Sequence, residues 1–170
     1  MEGNVLAART AALCRLISKK GGFFSVENPA TSAVWNYEPV QDLLSLPGAV
    51  DVKLDQCEFG LRPPHWAELG GDVRMRKSTI LRTNLGELGV LGVRCGGGHA
   101  HFRCLGNVRH EGKSVVVARF AGRYPAPLTT AWAQVVSARL AGRGPSGDKV
   151  APTRREAGEC FPGSAGGGCR

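Results

Sequence analysis

Apolar positions recur at helical spacing first over residues 4–20, where Val5, Leu6, Leu13, Leu16 and Ile17 repeat on one face. Lys19 and Lys20 sit near the end of that segment, where cations suit the helix dipole, and Gly21-Gly22 stops it. The pattern then changes. Phe23, Phe24, Ser25 and Val26 form a short apolar run between breakers, which predicts a buried strand, and Glu27-Asn28-Pro29 follows at once as a polar loop. Thr31 or Ser32 can cap a second helix whose apolar positions are Trp35, Val40, Leu43 and Leu44. Pro39 predicts a break or a fresh start inside it, and Pro47-Gly48 its end. Strict alternation over residues 49–56, with Val50, Val52 and Leu54 against Asp51, Lys53 and Asp55, predicts a half-buried strand.

Residues 61–77 are polar and basic and read as a loop, whereas residues 78–83, with Thr79-Ile80-Leu81 inside them, read as another strand. Residues 85–93 are apolar but broken by glycine. Residues 95–104 form a turn rich in glycine and histidine, and residues 114–120 suit a strand or a short helix. A last helix is predicted over residues 128–140, with Trp132, Val135, Val136 and Leu140 turned inward. Beyond it there is little to bury. Residues 143–170 are expected to be disordered, which leaves Cys160 and Cys169 without a structural role. The pattern as a whole predicts an α/β fold over residues 1–142 and a disordered tail over residues 143–170.

Composition changes the picture in two respects. A length of 170 residues suits one domain, and a net charge of +8 favours an anionic partner such as DNA or RNA. Eleven lysines and arginines stand against four acids between Arg62 and Arg123, which places the electrostatic footprint there. Guanidinium forks match phosphate and base acceptors, so Arg62, Arg74, Arg76 and Lys77 are the candidate nucleic-acid contacts; the alternative is a solvated charged loop. No run reaches membrane-spanning length and no signal-peptide pattern is present, so the expectation is an intracellular chain, nuclear or cytoplasmic, without membrane contact. Its six cysteines should then stay reduced, for metal binding or simple burial.

Two groups of residues could carry chemistry. Cys95-x3-His99-x-His101-x2-Cys104 offers four ligands suited to tetrahedral zinc, and Gly96, Gly97 and Gly98 permit a tight wrap. The two histidines are expected to need a loop to reach one ion, and Cys57 is the alternative to Cys104. Incidental histidines in a glycine turn are the other reading. Glu27, at the end of the predicted strand and followed by Asn28, is placed for proton transfer; a solvated turn is the alternative.

Several short motifs occur in a fixed order. Glu27-Asn28-Pro29 follows the apolar run, and then come Cys57-x-Phe59-Gly60, Arg74-Met75-Arg76, and Arg76-Lys77-Ser78-Thr79 with Thr83-Asn84 behind it. The Cys/His stretch and Arg123-Tyr124-Pro125 before the last helix complete the series. Over residues 5–140 this order resembles the C-terminal part of a cytosine-5 DNA methyltransferase, in the divergent Glu-Asn-Pro form of phages and mobile-element polyproteins. The resemblance implies a partial three-layer Rossmann-like methyltransferase fold, with an exposed sheet edge and marginal stability in isolation. It implies that Glu27 contacts and helps to protonate a flipped cytosine, that Asn28 braces its loop, and that Arg74 or Arg76 holds the base or nearby phosphates. Arg74 or Arg76 should therefore approach Glu27. Two parts of the family pattern are missing from this sequence: the Phe-x-Gly-x-Gly loop that binds S-adenosylmethionine and the Pro-Cys nucleophile. The cysteine that precedes Glu27, Cys14, falls inside a predicted helix. The expectation is a catalytically incomplete methyltransferase-like chain that binds no S-adenosylmethionine alone, its N-terminal half being supplied in cis or in trans. A non-enzymatic, zinc-stabilised nucleic-acid-binding module of a mobile-element polyprotein is the alternative, and a truncated reading frame without function is a third.

Overall fold

A central antiparallel sheet of three strands organises the protein, and each of its faces is covered by a different part of the chain. The computed structural model describes residues 2–142. The tail expected to be disordered, residues 143–170 with Cys160 and Cys169, lies outside the described residues. Strand β1 is Ser25–Pro29, β2 is Val50–Asp55 and β4 is Ser78–Thr83, in the order β1-β4-β2. The central position of β4 explains its composition: Thr79, Ile80, Leu81, Arg82 and Thr83 are all buried. Successive residues of a strand face opposite ways. Ile80 therefore joins an apolar cluster with Ala11, Cys14, Phe24, Trp35, Val40 and Leu43 on one face. Leu81 joins Val52, Leu54, Leu85, Leu88, Leu91, Leu128 and Ala131 on the other.

The first face is covered by helix α1, Glu2–Lys19, and by a run of short helical turns that includes α2, Glu38–Gln41. Ser32 caps the first of these turns by accepting from the Val34 amide, and Pro39 opens α2. Gly21, at φ +74°, ends α1 in the left-handed conformation that glycine adopts without strain. The inward face of α1 differs from the one expected. Val5, Leu6, Leu13, Leu16 and Ile17 are exposed, while Ala11 and Cys14 are buried and Ala7 packs beside them. Small side chains let the helix lie close against Trp35, Val40 and Leu43, which supply the bulk. The second face is covered by the helical turn Gly86–Leu91 and by helix α4, Ala126–Leu140. Trp132, Val135 and Val136 pack there as expected, but Leu140 is exposed.

The three layers make a mixed α/β protein with small sheets. The central sheet is antiparallel throughout, and the described strands form no parallel Rossmann-like sheet. The buried strand expected over residues 23–26 begins two residues later and is an edge strand of intermediate exposure. Phe23 is left exposed, and Glu27, Asn28 and Pro29 lie inside the strand, not in a loop beyond it. Thr83 and Asn84 fix where it starts. Asn84 accepts from the Phe24 amide and donates to the Gly22 carbonyl, while the Thr83 hydroxyl donates to the Phe24 carbonyl at 2.6 Å.

Residues 61–77 are not wholly a loop. Within them β3, Val73–Met75, pairs in parallel with β5, Ala100–Phe102. Next come the hairpin of β6, Asn107–His110, with β7, Lys113–Val116, and then helix α3, Val117–Phe120. Residues 114–120 are thus a strand end followed by a helical turn. These pieces share a third, smaller core of Leu61, Met75, Val117 and Ala121, with Phe102, Cys104, Val108 and Phe120 against it. No helix among the described residues is long and apolar enough to cross a membrane.

Candidate metal centre

The end of β2 begins the site. Asp55, fully buried, accepts from the Cys95 amide at 2.9 Å and from the Ser78 hydroxyl, and pairs with Arg94 at 3.2 Å. Its own amide donates to the Val93 carbonyl at 2.9 Å. These bonds pin residues 93–95 beside β2. Burial alone would raise the Asp55 carboxyl, but the Cys95 amide, Ser78 and the nearby cations outweigh it and hold the pKa below the ordinary value. The chain then turns through Gln56–Phe59 and closes on Gly60, at φ +81°, which leaves Cys57 buried beneath Cys95.

Four ligand atoms meet at this point. The sulfurs of Cys57 and Cys95 and the ring nitrogens of His99 and His101 all lie within 4.8 Å of one another. Cys95 Sγ is 3.7 Å from His99 Nε2 and 3.4 Å from His101 Nε2. A tetrahedral zinc site with ordinary bond lengths separates sulfur and nitrogen ligands by roughly 3.6 Å, which these two Cys95–histidine separations match. The Gly97 amide points at Cys95 Sγ from 3.4 Å, a donor suited to a thiolate. Arg74 donates to the Cys57 carbonyl at 3.0 Å and makes a two-bond pair with Asp72 at 3.0 and 2.6 Å. Burial first, then Arg74 and His101, lower the pKa of His99, which favours the neutral imidazole that a metal needs. Burial, then the neighbouring Cys95 and carboxylates, push the Cys57 thiol up to about 12, so a cation binding there must displace a proton.

One expectation is corrected. Cys104 is not in the group: its sulfur lies 4.0 Å from the Arg76 carbonyl and it packs in the third core. Cys57 stands in the place expected of it. The direction in which alternate side chains of β5 and its flanks turn gives the reason. Phe102 and Cys104 share a parity and turn to the third core, while His99 and His101 share the other and turn to Cys95. His101 lies in β5 and His99 in the bend just before it, so a strand residue and a loop residue supply the two imidazoles. Their rings sit 4.8 Å apart, edge to face.

The residues expected to handle a nucleobase share no hydrogen bond or ion pair among the described residues. Glu27 lies in β1 opposite Leu81, and Asn28 opposite Ile80, on the other face. Glu27 Oε2 accepts from the Tyr124 hydroxyl, whose pKa is raised by burial and by that carboxylate. Glu27 Oε1 is buried without a partner among the described residues. No hydrogen bond or ion pair among the described residues joins Glu27 to Arg74 or Arg76; Arg74 is held by Asp72 and Cys57 instead. Lys77 Nζ stands 5.2 Å over the Tyr124 ring. Tyr124 was signalled in the sequence as part of Arg123-Tyr124-Pro125, without a role. Arg62 pairs with Asp72 at 3.1 Å and stacks over Trp66 at 4.5 Å, so it too is engaged internally. Arg76 and Lys77 have no ion-pair partner among the described residues.

No protein-family model matches the chain, and no curated protein or solved structure shows significant similarity to it.

Proposed function

We propose that this protein is a non-enzymatic nucleic-acid-binding module, of the kind found in mobile-element polyproteins, whose basic half is held in shape by one zinc ion on Cys57, Cys95, His99 and His101. The observation that carries the reading is the meeting of those four ligand atoms from two distant segments. Four protein ligands leave zinc no open position for substrate, which is the pattern of a structural site. The ion would tie the turn after β2 to the start of β5, and so hold a segment whose cations outnumber its acids. That excess is suited to phosphate, and such binding weakens steeply with salt.

The test is fluorescence anisotropy of the full chain with labelled DNA and RNA, with zinc and after chelation. The reading expects binding whose logarithm falls linearly with the logarithm of salt, and its loss with EDTA. Absence of binding at about 50 mM salt with zinc in place would reject it.

A second reading, a catalytically incomplete cytosine-5 methyltransferase-like chain, draws support from the buried Oε1 of Glu27, which has no partner among the described residues. It requires the three layers to be completed into a Rossmann-like fold by a segment supplied in cis or in trans. Binding of S-adenosylmethionine by the full chain, measured by calorimetry, would favour it over the first.

A further inference from the structure

The zinc ligands and the free cations lie on different parts of the basic half. Beyond the third core, the hairpin and α3 enclose a shallow cleft of about 320 Å³ lined by Ser114, Val115, Val116, Arg119, Phe120 and Arg123. Strand alternation sorts the hairpin. Val108 pairs with Val115 and packs on the third core, whereas Arg109 pairs with Ser114 and turns outward with it. Arg109, Arg119 and Arg123 are all exposed, and none has an ion-pair partner among the described residues. Arg119 and Arg123 line the cleft, and Arg109 stands across the hairpin from Ser114, which also lines it. An aromatic ring sits among them: Phe120 is partly buried in the third core, and the Arg123 guanidinium lies 5.4 Å from its ring centre.

Cations interleaved with an aromatic face are the combination that holds a single strand, because the cations follow the backbone while a base stacks on the ring. The exposed Val116 adds an apolar wall. A duplex keeps its bases stacked inside and offers nothing to such a ring. Building on the function proposed above, we infer that this cleft is the binding site for single-stranded nucleic acid, with Arg109, Arg119 and Arg123 on phosphates and Phe120 beneath a base.

The test uses the zinc-loaded full chain and a fluorescein-labelled oligothymidylate of about twenty nucleotides. Arg119→Glu with Arg123→Glu should weaken binding at least ~10-fold and flatten the salt dependence by about 1.4 in log–log slope, the share of two phosphate contacts on a single strand. Phe120→Leu should weaken it at least ~5-fold with the slope unchanged, since it removes stacking and not charge. Lys19→Glu with Lys20→Glu makes the same change of charge at the end of α1 and should stay within about twofold of the wild type. Zinc content and melting temperature report whether each variant is folded, and Arg119→Gln with Arg123→Gln replaces the reversal if it is not. If the wild type binds no nucleic acid, the proposed function falls and the site with it. If it binds but the two charge-reversed variants weaken equally, or a duplex of the same length binds more tightly than the single strand, the site assignment falls alone.

Discussion

The central sheet and the basic half beyond it are held together by different means. Around β4, two apolar clusters cover both faces of one strand, and its charged residue is fully accommodated. Arg82, 4% exposed, forms a two-bond pair with Asp51 at 2.7 and 2.8 Å, donates to the Val40 carbonyl at 2.7 Å, and lies 5.1 Å from the Trp35 ring. The outlying pieces, β3, β5, the β6–β7 hairpin and α3, share a core of four buried side chains, form two-stranded sheets only, and turn at Gly97, Gly106 and Gly112 with positive φ. Apolar burial can specify the first region without help. In the second, a small core must offset the entropy of ordering many short pieces, and the proposed metal cross-link between them would supply what burial does not.

The largest effect should come from splitting the buried ion pair. Asp51→Ala leaves Arg82 without its carboxylate in an apolar setting and should cost about 3–5 kcal/mol in urea unfolding. A loss below about 1 kcal/mol would mean that Arg82 finds water and that the sheet is less closed than described. Leu81→Ala, at the centre of the cluster beneath α4, should cost about 2–5 kcal/mol by the same measurement. Chelation should act elsewhere. Removing zinc should cost the folded state about 2.7 kcal/mol if the free ion stood at a hundred times its dissociation constant. Hydrogen exchange should then lose protection over residues 73–75 and 95–116 while β1, β2 and β4 keep theirs. Uniform loss across both regions would erase the distinction between them.

The smallest effect concerns Asp72, which Arg74 and Arg62 both approach. The hydrogen bond from Arg74 holds its carboxyl below the ordinary value. A lowered folded pKa stabilises above the unfolded value of about 3.9 and is lost as pH falls through the folded one. Because this carboxylate is well exposed, Asp72→Asn should cost under about 1 kcal/mol near neutral pH, and that difference should shrink below about pH 4. A difference that grew in acid would contradict the assignment.

Much of this contrast was legible along the chain. Alternation located β2, whose Val52 and Leu54 turn to one core, and the run around Leu81 located β4, which is buried on both faces. The inward face of α1 was not legible: spacing alone favoured its large side chains, whereas close approach to Trp35 and Leu43 selects alanine and cysteine. β3 was hidden because its three residues pair in parallel with a partner twenty-seven positions away, a contact that no local pattern announces. Three of the four converging ligands were evident from Cys95, His99 and His101. The fourth turned on strand parity and on Asp55, whose hold on the Cys95 backbone brings Cys57 under it.

That exchange of one cysteine for another is also the most direct test of the account. Elemental analysis of the purified full chain, with cobalt absorption as a second readout, should be run on the wild type, Cys57→Ser and Cys104→Ser. The account predicts one zinc per chain and a thiolate-to-cobalt band in the wild type and in Cys104→Ser, with both lost in Cys57→Ser. A wild type without metal, or a site that survives Cys57→Ser and fails with Cys104→Ser, would contradict it.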